Sequence, residues 1–447
     1  MLAPSLYWIA LFLLVTAPLV LGANRGAVWL PLAAILFAGL AIHAYRNALI
    51  QPAGIRFGRI SRLMLVLFGA WACLPLLQLL PVPLGVAKVI APGPIGALQT
   101  ADDWVSFTVN AQATLDELVL RVCAVLFFFI ALYVAQHRQW RERYVWVIAI
   151  GGFANAAFGL FNYFTNGALG FFDPALGDFD TAVTGTFINK NHFAGYLELT
   201  LPFVLVLFCR QGVLSLGSRD THVLNEKFIF MLVIIAVILA ALLLSGSRGA
   251  MLALMLSTVL VILLRGFSLS RGVVVAMLLV ACIVGGVIAL TFDQFVWLYL
   301  GHKLTLTRAE IWLSSLELIL SSPFFGWGAG SFEDAFGTIK TASFGPWLYD
   351  HAHNDYVEYL VTDGMIGGGM LFVAFGLFVF RVLPSLRRAT GDNRCLSLVA
   401  IAPIALMLHA MVDFNLQIPA NLWLFFFVMG LLTGILGLQG QEIERSE

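Results

Sequence analysis

Two histidines, His351 and His353, lie beside carboxylates in a segment that could carry acid–base chemistry. The segment reads His351-Ala-His353-Asn-Asp355-Tyr-Val-Glu358 and directly precedes a long apolar stretch. Histidine exchanges protons near neutral pH, so either ring is suited to take a proton from a hydroxyl group, and the spacing does not choose between them. A metal site is a weaker interpretation, because residues two apart diverge by about 200° on a helix. A third interpretation is structural, with Asn354 or Asp355 starting a helix.

Two arginines stand beside apolar runs that are long enough to cross a membrane. Arg248 lies in a Ser-Gly-Ser-Arg-Gly turn of only about five residues, so it must lie near the membrane surface. The spacing of residues 307–320 predicts an amphipathic helix with one face made of Arg308, Ile311, Trp312, Leu316 and Ile319. Trp312 would anchor this helix in the membrane interface. A guanidinium group grips phosphate oxygens with two parallel hydrogen bonds, although contact with lipid headgroups alone is an alternative for Arg248.

A polar string opens another apolar run with the sequence Thr184-Gly-Thr-Phe-Ile-Asn-Lys-Asn-His-Phe-Ala-Gly195. A helix N-terminus attracts anions, and Lys190 and His192 would add cationic or titratable groups there. The structural alternative is a helix cap with Lys190 at the interface. A second string, Gly326-Trp-Gly-Ala-Gly-Ser-Phe332, permits unusual backbone angles and is a weak match to a phosphate cradle.

The elements that position these residues follow from composition. The 447 residues are 60% hydrophobic and only 11% charged, which excludes soluble enzymes, disordered chains and nucleic-acid binders. Apolar stretches long enough to span a bilayer as helices occur at roughly 3–22, 27–45, 63–84, 115–136, 144–165, 192–209, 227–244, 250–265, 272–292, 355–380, 396–414 and 420–438. We therefore predict an all-α membrane protein, a single domain over 1–447 with about 12 transmembrane helices. A large, partly helical extracytoplasmic loop is expected at 293–354, between helices 9 and 10.

The basic residues predict which side of the membrane each loop faces. Of the 25 Lys and Arg residues, 17 fall on one side when both termini are placed in the cytoplasm, as the positive-inside rule requires. The first span lacks a basic leading segment and a cleavage site, so it is expected to be a retained anchor. Lys190, Arg248 and Arg308 then lie outside the cytoplasm, together with most of the loop length.

Several ionisable residues fall within the predicted spans, where isolated charge is costly, so they should face the bundle interior: Arg121, Glu198, Asp363, His409 and Asp413. Asp413, together with Asn415, lies near the extracytoplasmic end and could join a site there. The five cysteines are dispersed and lack a Cys-x-x-Cys pair, which argues against a disulfide framework or a metal site. The sequence contains no Gly-rich loop of the ATP-binding type.

Taken together, these motifs resemble the O-antigen ligase and O-antigen polymerase superfamily of bacterial integral-membrane glycosyltransferases. The resemblance rests on His353-Asn354, followed after nine residues by Gly364-x-x-Gly367, and on the positions of Arg248 and Arg308. The string Gly-Thr-Phe-Ile-Asn-Lys-Asn-His-Phe-Ala-Gly-Tyr-Leu-Glu is similar to one in the superfamily. All of these motifs lie within residues 184–370.

The resemblance implies transfer of a glycan from undecaprenyl diphosphate to a sugar hydroxyl of the lipid A core, with inversion and without a metal or other cofactor. The reaction would occur at the periplasmic face of the bacterial inner membrane. His353 would be the base, and Arg308 and Arg248 would be the other catalytic residues. The predicted substrate-binding residues are Asn189, Lys190, His192, Trp312, His351, Asn354 and Asp355.

Other functions remain open at this point. A polymerase of O-antigen or exopolysaccharide repeats, whose acceptor is a growing glycan, and a protein O-oligosaccharyltransferase are close alternatives. A lipid or solute transporter that uses Arg121, Glu198 and Asp363 is a distant one. Membrane lipids are further expected partners, and nucleic acid is not.

Overall fold

The computed structural model describes residues 4–49, 57–98, 102–167, 182–210, 226–265 and 304–444. In chain order its α-helices are α1 (Pro4–Leu19), α2 (Gly26–Leu49), α3 (Arg59–Leu79), α4 (Leu84–Ile90), α5 (Pro92–Leu98), α6 (Ala111–Val134), α7 (Arg138–Phe164), α8 (Lys190–Phe208), α9 (Glu226–Leu244), α10 (Arg248–Arg265), α11 (Leu304–Ser321), α12 (Phe332–Ile339), α13 (Asp355–Leu377), α14 (Gly391–Leu396), α15 (Ile401–His409) and α16 (Pro419–Glu444). Within the described ranges, nine helices are long and apolar enough to cross a membrane, which confirms an all-α membrane protein.

The predicted spans have different outcomes. Nine of them correspond to the long helices α2, α3, α6 to α10, α13 and α16, and the first corresponds to α1, an apolar helix of 16 residues. The span predicted at 396–414 is not one long helix, because α14 ends at Leu396 and is followed by a 3₁₀ turn at Ser397–Ala400 and by the short helix α15. Pro403 contributes to this break, because it cannot donate a hydrogen bond to the preceding turn. The span predicted at 272–292 lies outside the described residues.

The loop predicted before the tenth span is partly helical, as expected, because it contains α11 and α12. After α13 the chain continues as a π-helical turn, Phe378–Val382, and a 3₁₀ turn, Leu383–Arg388. Two short strands, β1 (Val82–Pro83) and β2 (Trp104–Val105), pair antiparallel in the connection between α3 and α6.

The two ends of the bundle differ chemically. The basic end contains the start of α3 and α7 and the end of α8, α10 and α13. There Arg210 pairs with Glu142 at 2.8 Å and with Asp392 at 2.9 Å. Cys209 and Cys395 form a disulfide at this end, so the expectation of no disulfide is wrong for this pair, because the fold brings the end of α8 beside α14. The opposite end, called the site end, contains the start of α8, α10, α13 and α16.

A buried ion-pair cluster ties α3, α6 and α13 together. Arg121 Nη1 lies 2.9 Å from Asp363 Oδ2, and Arg121 Nε donates to Glu117 Oε1 at 2.8 Å. The indole N–H of Trp71 donates to Asp363 Oδ2 at 3.1 Å. Arg121 and Asp363 are both 0% exposed, which confirms that they face the bundle interior. Removing one partner of such a pair typically costs about 3–5 kcal/mol, so this cluster strongly constrains how the three helices pack.

Helix α13 is interrupted at Gly364, whose φ is +63°. The interruption exposes backbone groups, and the loop between α11 and α12 bonds them. The Trp327 N–H donates to the Val361 carbonyl at 2.9 Å, and the Met365 N–H donates to the Pro323 carbonyl at 2.7 Å. Buried backbone groups must be satisfied inside a membrane protein, so the loop and the broken helix depend on each other.

The glycine-rich string at 326–332 therefore has a structural use. The N–H groups of Trp327 and Gly328 bond to carbonyls of α13, and the Ala329 N–H donates to Gln78 Oε1 at 2.9 Å. These N–H groups are occupied and cannot bind an anion. The interpretation of this string as a phosphate cradle is wrong.

Substituting Gly364 should destabilise the fold. A Cβ at this position would lie 2.4 Å from the Phe324 carbonyl oxygen, and its φ disfavours any side chain. We expect Gly364→Ala to lose about 1–3 kcal/mol, seen as a lower melting temperature of the detergent-purified protein. Gly369→Ala on the same helix is the control, because a Cβ there meets nothing within 4 Å. Equal melting temperatures for the two variants would contradict this account.

Candidate functional site

A polar cluster at the site end is centred on Asp413, which follows α15 and is 1% exposed. Asn191, in the first turn of α8, donates from Nδ2 to Asp413 Oδ2 at 2.6 Å. The Nδ1 atom of His353 lies 3.5 Å from Oδ1, and the Nε2 atom of His192 lies 3.9 Å from the same oxygen. Donors and cations around a carboxylate favour its ionised form. Asp413 is therefore a negative centre that gathers side chains from separate parts of the chain.

Arg308 reaches the same centre from the start of α11. Its Nη1 donates to the Val412 carbonyl at 2.8 Å, and its Nη2 lies 3.7 Å from Asp413 Oδ2. The side chain is still 38% exposed. The protein thus holds one part of the planar guanidinium group, while its other N–H groups can meet an anionic ligand.

His353 occupies the turn that leads into α13. Its φ is +51°, a backbone conformation that costs a residue other than glycine on the order of 1 kcal/mol. Asn354 follows as the N-cap, and its side-chain oxygen accepts the N–H groups of Tyr356 and Val357 at 3.1 and 3.2 Å. This confirms that Asn354 starts the helix. The imidazole of His353 is 29% exposed and directs Nδ1 towards Asp413, so Nε2 is the atom available to a substrate hydroxyl.

His351 differs from His353 in its partner. Its Nδ1 lies 2.8 Å from Glu358 Oε1, and its ring stacks on Phe414 with centroids 4.1 Å apart. Burial lowers the pKa of His351, but the neighbouring Glu358 carboxylate raises it more, so the pKa lies above its ordinary value. Only the unprotonated ring can accept a proton, and the bond to Glu358 favours the protonated form of His351. The assignment of His353 as the base stays a prediction.

The polar string at the start of α8 is brought to the same cluster. Asn189 is the N-cap of α8, and its side-chain oxygen accepts the Asn191 N–H at 2.7 Å. His192 is 3% exposed, and its Nε2 lies 3.9 Å from Asp413 Oδ1. Lys190 is the first residue of α8 and is half-buried. The string therefore supplies both a helix cap and part of the polar cluster.

The turn that carries Arg248 packs against the segment that holds Asp413. Arg248 is the first residue of α10. The next residue, Gly249, lies so close to Val412 that a Cβ there would come within 2.9 Å of the valine Cγ2. Arg248 and Arg308 thus lie at the same end of the bundle, beside the same short segment.

Trp312 and Asp355 hold the histidine segment from within the protein. The indole N–H of Trp312 donates to the Ala352 carbonyl at 2.9 Å, and its use as an interfacial anchor stays a prediction. Leu316, predicted to share its face, is 52% exposed on the outer side of α11. Asp355 is fully buried, and its Oδ2 accepts the Leu416 N–H at 3.0 Å. Both residues are placed to position the site, and their contact with substrate stays a prediction.

Asn191 and Phe414 complete the cluster but were not among the predicted site residues. The ring centroid of Phe414 lies within 4.9 Å of the centroids of three imidazoles, those of His192, His351 and His353. Asn191 lies inside the polar string and could have been included on that ground. One Phe among 37 gives no such signal. Within the described residues, no three His, Cys, Asp or Glu side chains are grouped to hold a metal ion.

The segment that contains most of these residues also matches a known family. Residues 231–373 match the family model described as O-Antigen ligase. The resemblance to the O-antigen ligase superfamily is confirmed. The O-antigen ligase match includes Arg248, Arg308 and His353, whereas Asp413 and the α8 string lie outside it. None of the curated proteins searched matches the chain significantly.

The pair formed by His351 and Glu358 should make stability depend on pH. Because the pKa of His351 is raised on folding, the pair stabilises fully below the ordinary histidine value of 6.5 and loses its effect as pH rises through the raised pKa. Glu358→Gln should therefore lower the melting temperature most near about pH 6, and less at higher pH. Glu333→Gln, an exposed change on α12, should show no such trend. If the melting temperature of Glu358→Gln lies below that of the wild type by the same amount at every pH, the pair of His351 and Glu358 does not cause the pH dependence.

Proposed function

We propose that this protein is an O-antigen ligase-like membrane glycosyltransferase, which moves a glycan from undecaprenyl diphosphate to a sugar hydroxyl of the lipid A core. The observation that carries the proposal is the convergence of His353, Arg308 and the Arg248 turn on the segment around Asp413. A base and fixed cations at one membrane face suit transfer from a lipid-linked diphosphate. The family match over residues 231–373 supports this class of reaction.

His353 is the proposed base. Its Nε2 accepts the proton of the acceptor hydroxyl while the hydroxyl oxygen attacks the anomeric carbon of the donor glycan. Asp413, 3.5 Å from Nδ1, stabilises the imidazolium that forms. The attack comes from the side opposite the leaving diphosphate, so the configuration at the anomeric carbon is inverted.

Arg308 and Arg248 are the proposed partners of the leaving group. When the bond between the anomeric carbon and the diphosphate oxygen breaks, the electron pair and the negative charge go to undecaprenyl diphosphate. The hydrogen bond from Arg308 to the Val412 carbonyl holds its guanidinium group in place, so little reorganisation is needed to meet this charge. Because these arginines supply the positive charge, the proposed transfer needs no metal or other cofactor.

We place the reaction at the periplasmic face of a bacterial inner membrane, with both termini in the cytoplasm. The positive-inside rule supports this orientation, because the basic end lies opposite the Asp413 cluster. The other buried charges support an enzyme over a transporter. Arg121 is paired with Asp363 at 2.9 Å, and Glu198 Oε2 lies 3.0 Å from His409 Nδ1. Such pairs suit helix packing better than a substrate pathway.

Loss of the base or of Arg308 should abolish most of the transfer. We expect His353→Ala to lower the rate by about 10²–10⁴-fold and Arg308→Ala by about 10²–10³-fold. Arg308→Lys should be less impaired, because it keeps the charge but loses the planar fork. The assay uses purified protein, a lipid-linked glycan and lipid A core, with EDTA present throughout. Glu333→Gln is the control and should retain full activity.

Four outcomes would contradict parts of this proposal. If His351→Ala is inactive while His353→Ala is active, the base is the other histidine. Loss of activity in EDTA that a divalent ion restores would rule out metal independence. If the protein elongates lipid-linked repeats but leaves lipid A core unmodified, it is a polymerase and not a ligase, and transfer to a protein hydroxyl would identify an oligosaccharyltransferase.

Asp413→Asn should slow catalysis and lower the melting temperature only modestly, because the amide keeps the shape of the side chain and an oxygen that can accept from Asn191, although it loses the negative charge. We expect kcat to fall roughly 100-fold, with a smaller change in KM. A variant with an unchanged kcat and a lowered melting temperature would show that Asp413 acts only in folding.

A further inference from the structure

A cavity of about 270 Å³ lies at the basic end, opposite the Asp413 cluster. It is bounded by the start of α3, the turns that follow α13, and the second half of α16. Its polar lining side chains are Arg59, Ser61, Arg381, Ser385 and Thr433. Because a water molecule occupies about 30 Å³ in the liquid, the cavity has room for a group of several heavy atoms. The proposed glycan transfer does not use it.

The two arginines that line this cavity differ from Arg210 at the same end. Arg210 binds the carboxylates of Glu142 and Asp392. Across the ranges that the structure describes, neither Arg59 nor Arg381 forms an ion pair with a carboxylate. Two guanidinium groups beside one cavity repel each other unless an anion neutralises them, and their planar forks match phosphate oxygens.

The start of α3 adds backbone donors to the same cavity. The first backbone hydrogen bond of α3 runs from the Arg62 N–H to the Gly58 carbonyl at 3.1 Å. The N–H groups of residues 59–61 therefore precede the helical ladder, and the N-cap, Gly58, has no side chain to bond them. Gly58 and Ile60 also line the cavity. Unbonded N–H groups at a helix start favour an anion, in addition to the two arginines.

Exposed apolar side chains beside the arginines indicate that the anion carries acyl chains. Leu63 and Val66 follow Arg59 by four and seven residues, share its face of α3, and are 42% and 66% exposed. Phe380, next to Arg381, is 77% exposed. A phospholipid has this same order, with a charged headgroup above apolar chains. A free phosphate ion would gain nothing from the apolar surface.

We propose that this cavity binds the phosphate of an anionic phospholipid headgroup. Arg59 and Arg381 are its main partners, and the hydroxyl groups of Ser61 and Ser385 are further donors. Basic pockets between transmembrane helices are suited to such headgroups. The inference does not depend on the glycan-transfer reaction, because it concerns the opposite end of the bundle.

Native mass spectrometry of the full-length, delipidated protein tests the proposal. The probes are phosphatidylglycerol and phosphatidylcholine with identical acyl chains. The amount of phosphatidylglycerol bound to the wild type should exceed the amount of bound phosphatidylcholine by about fivefold or more. The double variant Arg59→Gln, Arg381→Gln should lose this preference. Arg388→Gln, an exposed change at the same end but outside the cavity, is the control and should keep it. If the double variant is unstable, the single variant Arg381→Gln is measured in its place and should also lose the preference.

Three results would overturn the proposal. If the variants with glutamine at position 59 or 381 keep the preference for phosphatidylglycerol, the lipid binds elsewhere. An equal loss in Arg388→Gln would show that the general charge of this end, and not the cavity, selects the lipid. If inorganic phosphate displaces phosphatidylglycerol at equal concentration, the acyl chains contribute nothing and the ligand is a soluble anion.

Discussion

A single buried negative charge, that of Asp413, determines how the site is assembled. A carboxylate inside a membrane-spanning bundle is costly unless donors and cations surround it. Asn191, His353 and Arg308 come from segments far apart in the chain, yet each lies within 3.7 Å of this carboxylate. The contacts with Asp413 therefore connect α8, α11 and the turn before α13. The arrangement that could perform chemistry is a consequence of this electrostatic requirement.

The scaffold beneath the cluster keeps that arrangement stiff. The first part of α13 ends at the interruption at Gly364, where the loop at 326–332 bonds its backbone. Asp363, directly before the interruption, is bound to Arg121. Asn354 caps the other end of the same segment, and His353 directly precedes Asn354 in the chain. A short helix that is tied at both ends cannot tilt freely, so the strained turn that holds His353 is supported from both directions.

The sequence was informative about elements and less so about contacts between them. The length of the apolar stretches in the sequence predicted the nine long helices. The tendency of Asn to cap helices predicted the start of α13. The contact of Trp312 with the Ala352 carbonyl was not predicted, because α11 has apolar residues on both sides. Ile311 and Leu318 are buried, while Leu313 is 67% exposed, so spacing alone cannot tell which side faces the protein. The central position of Asp413 depends on partners more than a hundred residues away in the chain, and no local pattern encodes such contacts.

The arginines show how one residue type can meet two different demands. Arg121 and Arg210 are each paired with two carboxylates and serve packing. Arg308 is held by a backbone carbonyl and is still partly exposed, which suits a charge that develops at one fixed position during a reaction. Arg59 and Arg381 have neither kind of restraint among the described residues, which suits a headgroup that only has to be retained. Zero net charge therefore conceals a functional division, because the way in which each arginine is paired, and not the total charge, decides whether it can bind phosphate.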